Sequence, residues 1–211
     1  QAFAPLTAGQ IQPLAVFGKG IISSSVLAAG GASWVVQTPL GLYLYRADTL
    51  EQVAFLPGMD QYWTSPDGRL LLAAISGQPR LQVFDSASGQ LLATLEHPVD
   101  LPRYQPKGFS RKAFLSVSAL GFSGDGRQMA VSYGDSQVGI YQVENWSQAA
   151  LFSHRLSLPA QKLVFSQDGQ YLAAQAGETI LLWRTADGQL LTRRPQMGSI
   201  SANPFSPNGA M

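Results

Sequence analysis

Few side chains in this sequence could do chemistry. There is no cysteine, which removes disulfides, thiolate nucleophiles and Cys-ligated metals together. The imidazoles are His97 and His154. Two histidines at unrelated spacing do not make a metal site. Each follows one strand pattern and precedes another, so a structural or surface role stands ahead of catalysis. Asp67, Asp125 and Asp168 all sit in tight turns, where an aspartate caps backbone N–H groups. Paired acid–base work needs carboxylates about 5–10 Å apart, and turns on successive units are expected to lie farther apart. Phe17-Gly18-Lys19-Gly20 hints at a phosphate loop. However, Pro13 stands where that motif needs its first Gly, and Gly20 where it needs Ser or Thr. There is no Gly-x-Ser-x-Gly elbow and no His-Glu-x-x-His helix. Asn145-Trp146-Ser147 matches a glycosylation sequon, a pattern short enough to arise by chance. The expectation is no catalytic residue, no metal and no cofactor.

The elements that position these residues form a repeat. Ser65-Pro66-Asp67-Gly68 returns as Ser123-Gly124-Asp125-Gly126, Ser166-Gln167-Asp168-Gly169 and Ser206-Pro207-Asn208-Gly209, with a degenerate first copy at Ala28-Ala29-Gly30-Gly31. The intervals between copies are close to one another, except the longer one from Ser65 to Ser123. A period of about 40 residues marks one supersecondary unit used again and again. A second signature keeps the same rhythm. Short strands end in the aromatics Tyr45, Phe84, Tyr141 and Trp183, and the interval from Phe84 to Tyr141 is again the oversized one. Each aromatic leads through a polar turn, such as Asp85–Gly89 or Thr185–Gly188, into a further apolar run. Short apolar runs between Gly-bearing turns read as antiparallel strands, and no capped helix of ordinary length is present. Each unit is therefore strand, Gly-turn, strand, turn, aromatic strand, turn, strand.

Four strands in about 40 residues is the content of one propeller blade. Over roughly residues 20–211 the sequence resembles the WD40-repeat family, whose signature pairs a Ser-Pro-Asp-Gly-type turn with a strand ending Trp-Asp. Trp183 keeps that Trp, with Arg184 after it, and Phe84-Asp85 keeps the Asp. Other bacterial propellers share the turn, so the subfamily stays open. The resemblance implies an all-β propeller of four-stranded antiparallel blades, four recognisable and a fifth begun. It also implies that a histidine in the His97 or His154 position bonds structural side chains. Its partner aspartate, at a fixed offset before the aromatic, is present as Asp135, whereas the last complete unit has Gly177 there. Tyr45, Phe84, Tyr141 and Trp183 are expected between blades.

The expected domain is a single one over residues 1–211, incomplete as a propeller. Ala15-Val16-Phe17 reads as an orphan outer strand, and the fifth unit stops after its first strand and turn. Open edges expose unpaired backbone groups, so pairing with a longer chain, a partner or another copy is expected. The net charge of +1 gives no pull toward nucleic acid or anionic membrane. Charged residues make up 13% of the chain, about half the usual share. The stretch from Gly20 to Tyr45 carries no charge, but it contains Gly30-Gly31 and Pro39 and aligns with strands of the first unit. No membrane span is expected. The chain begins with Gln1, as a removed signal peptide or a trimmed start would leave it. The compartment stays open, with extracytoplasmic ahead of cytoplasmic.

The oversized gap marks an inserted interblade loop at residues 97–115. From Asp100 to Lys112 the basic residues Arg103, Lys107, Arg111 and Lys112 outnumber the single acid, with Tyr104 and Phe109 interleaved and prolines that preclude a helix. Long loops on rigid scaffolds often carry function. Arg103, Tyr104, Lys107, Phe109, Arg111 and Lys112 are the candidate partner-binding residues; the competing reading is a solvated loop packed on its own blade. The function expected by analogy of fold is a non-catalytic scaffold for protein–protein interaction. Two other readings stay open: the propeller part of a larger hydrolase whose catalytic domain lies outside these residues, and a glycan-binding propeller using aromatics such as Tyr104 and Trp146.

Overall fold

A computed structural model describes residues 20–97, 116–152, 158–195 and 205. Those residues form sixteen strands in four antiparallel sheets of four. The first sheet holds β1 (Ser24–Ala28), β2 (Ser33–Thr38), β3 (Gly41–Arg46) and β4 (Gln52–Pro57). The second holds β5 (Gln61–Thr64), β6 (Leu70–Ala74), β7 (Arg80–Asp85) and β8 (Leu91–Glu96). The third holds β9 (Val117–Phe122), β10 (Gln128–Tyr133), β11 (Val138–Gln142) and β12 (Gln148–Phe152). The fourth holds β13 (Lys162–Phe165), β14 (Tyr171–Ala176), β15 (Thr179–Arg184) and β16 (Leu190–Pro195). Strands follow chain order within every sheet, so each unit is a meander of hairpins, as the repeat predicts. The uncharged stretch from Gly20 supplies β1, β2 and most of β3. Among the described residues no helix is long and apolar enough to cross a membrane.

In the second and third sheets the two middle strands read as near-continuous apolar runs because both of their faces are covered. In β6, Leu71 and Ala73 join the core shared with the first sheet, while Leu72 and Ala74 join the core shared with the third. In β10, Met129 and Val131 turn toward the second sheet, and Ala130 toward the fourth. The period of two along a strand converts one apolar run into two opposite interfaces. Three cores thus join the sheets in sequence, first to second, second to third and third to fourth. No core among the described residues joins the fourth sheet back to the first. Phe205 is buried and stands one repeat after Phe165, which lies in the last core. The rest of the fifth unit and the segment Ala15-Val16-Phe17 lie outside the described residues.

The recurrent aromatic marks a feature of the backbone. In every sheet the ladder between the third and fourth strands slips at that position. The slips fall between Leu44 and Tyr45, Val83 and Phe84, Ile140 and Tyr141, and Leu182 and Trp183. Such bulges increase local twist and bend the strand, so the outermost strand of each unit is re-aimed at the aromatic. Phe84, Tyr141 and Trp183 then lie in cores shared with the preceding sheet. Tyr45 instead clusters with Val36, Tyr43 and Trp34, on the face of the first sheet turned away from the second. Three of the aromatics thus lie between successive sheets. The fourth has no preceding sheet among the described residues.

Candidate functional site

The repeated turns are built alike, and their carboxylates are occupied. The hydroxyls of Ser65, Ser123 and Ser166 donate to Oδ1 of Asp67, Asp125 and Asp168, each at 2.6 Å. The same Oδ1 atoms accept from the backbone N–H of Arg69, Arg127 and Gln170, at 3.1, 3.0 and 3.0 Å. The serine hydroxyls in turn accept the N–H groups of Leu70, Gln128 and Tyr171. The serine hydroxyl first, then the backbone N–H, holds each carboxyl below the usual range. A carboxylate kept ionised in this way is a poor proton donor at neutral pH. Its place in the fold is to tie the turn shut. Gly68, Gly126 and Gly169 close these turns at φ near +70°, a conformation glycine adopts without strain.

Antiparallel order places the first and third turns of every unit on one rim and the remaining connections on the other. Asp48, Glu51, Asp67, Asp85, Asp125, Glu144, Asp168 and Asp187 lie in or beside the first set of turns, against Arg46, Arg69, Arg127 and Arg184. The turn rim is therefore acidic. An open cleft of about 640 Å³ lies there, lined by Ser33, Arg46, Asp48, Glu51 and Gln52 among others. Its guanidinium is paired with Asp48 at 3.1 Å. Among the described residues no three His, Asp or Glu side chains gather as a metal site would require.

On the opposite rim, His97 closes the end of β8. Its ring is fully buried, and Nε2 lies 3.0 Å from Asp135 Oδ2 in the β10–β11 turn. A carboxylate only accepts, so Nε2 carries the proton. The imidazole stacks on Tyr133 with centroids 3.9 Å apart and planes 7° from parallel. Tyr133 shares a 2.8 Å hydroxyl contact with Tyr141, and burial pushes the Tyr133 phenol well above its usual range. Nδ1 of His97 is buried without a partner. Closed off from solvent, this group ties the second sheet to the third, in line with a structural role. Sequence reading named His97 and Asp135 but missed Tyr133. The available signal was its position directly before Gly134-Asp135. His154 lies outside the described residues.

Arg103, Tyr104, Lys107, Phe109, Arg111 and Lys112 also lie outside the described residues. Both stems of their segment are placed. His97 N–H donates to Pro79 O at 2.9 Å, Gly77 N–H donates to Ser116 Oγ at 2.8 Å, and Gly134 N–H donates to Ser116 O at 2.8 Å. The segment therefore leaves and rejoins the sheets beside the β6–β7 and β10–β11 turns, on the rim opposite the acidic one. No protein-family model matches the sequence, and no curated protein is significantly similar to it.

Proposed function

We propose that the chain is a β-propeller of the WD40-like type acting as a non-catalytic scaffold for protein–protein interaction. Its contact surface is the rim that carries residues 98–115. The observation that supports this most is the serial joining of four like sheets through three shared cores. That arrangement makes a rigid support for loops. The repeated carboxylates are tied up in turn hydrogen bonds, which leaves them a structural task. The acidic turns lie on one rim, and the stems of the basic segment emerge on the other. An acidic protein partner would be drawn to the second rim and repelled from the first. In this reading Arg103, Lys107, Arg111 and Lys112 steer the partner, and Tyr104 and Phe109 supply the buried anchors.

The test is affinity capture from native extract with the intact chain and with a variant carrying Arg103→Glu, Lys107→Glu, Arg111→Glu and Lys112→Glu. The expected result is loss of a specific partner by the variant at an unchanged melting temperature. Recovery of the same partners at the same salt by both proteins would remove the segment from the contact surface.

A further inference from the structure

We draw no further inference here: the strongest candidate, the aromatic face of the first sheet turned away from the second, with Leu27 and Phe55 exposed beside Val36, Tyr43 and Tyr45, carries nothing because nothing in the structure shows what covers it.

Discussion

Replacing Gly68 and Gly126 by alanine, one at a time, separates the strain within a turn from the contact between sheets. The two glycines hold the same place in the repeat and the same φ of +70°. Alanine in a left-handed conformation costs about 1–2 kcal/mol. Reduced freedom of the unfolded chain returns about 0.4–1 kcal/mol, so the turn itself should lose about 1 kcal/mol at either site. At Gly126 nothing stands within 4 Å of the added Cβ, and that figure should be the whole effect. At Gly68 the Cβ would lie 2.7 Å from Ala29 N and 3.3 Å from Gly30 N, in the turn of the first sheet. The backbones cannot stay where they are. The 2.6 Å bond from Ala29 N–H to Gly68 O would be strained or broken, and a lost bond of this kind costs about 1 kcal/mol or more. Gly68→Ala should therefore cost about 2–3 kcal/mol, exceeding Gly126→Ala by about 1 kcal/mol or more. The assay is urea unfolding by circular dichroism, with a common slope required before midpoints are compared. Gly169→Ala is the further control, since its Cβ would meet Ser123 Cβ at an ordinary 3.7 Å. Equal losses at Gly68 and Gly126 would refute the packing of the first sheet's turn on the second.

Three other outcomes follow from the same geometry. Asp135→Ala should cost about 1–3 kcal/mol, because it leaves the buried Nε2–H of His97 without its acceptor; Asp187→Ala, which breaks an ion pair with Arg184 whose side chains are 49% and 45% exposed, should cost under about 1 kcal/mol, and thermal melts of both variants compare them. The turn carboxyls titrate below their unfolded value in the folded chain. Their contribution is thus present above the unfolded pKa of about 3.8 and is lost as pH falls through the lower folded value; melting temperature should hold from pH 7 to about 5 and drop in acid, and Asp67→Asn with Asp125→Asn should flatten that drop. Partner capture should weaken steeply with salt, as steering by exposed charges does; capture that is indifferent to salt would contradict the assigned role of the four basic residues.

The repeat was legible because its turns are local chemistry. A Ser-x-Asp-Gly tetrapeptide closes with a hydroxyl, a carboxylate and a left-handed glycine, and its side-chain bonds reach no farther than the two residues that follow it. The first copy, Ala28–Gly31, lacks the serine and aspartate, and there the chain forms a short 3-10 turn with Ala29 at φ +51° and Gly30 at +65°. The aromatic rhythm was legible too, as was the place of Phe84, Tyr141 and Trp183 between sheets, but the ladder slip at each aromatic was not. A ladder slip is a relation between two strands, and only the register shows it. At His97 the aspartate partner, Asp135, was legible through the resemblance, whereas the stacking on Tyr133 was not. The candidate contact residues rest on composition and on the placed stems of their segment, since a basic, proline-rich stretch carries no periodicity from which a conformation could be read.

The account is tested most directly by shortening residues 98–115 to the length of the other connections between units and measuring binding of the captured partner alongside thermal unfolding. His97 and Ser116 hold the stems through Asp135, Pro79, Gly77 and Gly134, so the shortened chain should keep its strand circular dichroism and its melting temperature while losing the partner. Undiminished binding would contradict the rim assignment. Unfolding on shortening would show that the segment serves as packing for its own sheets.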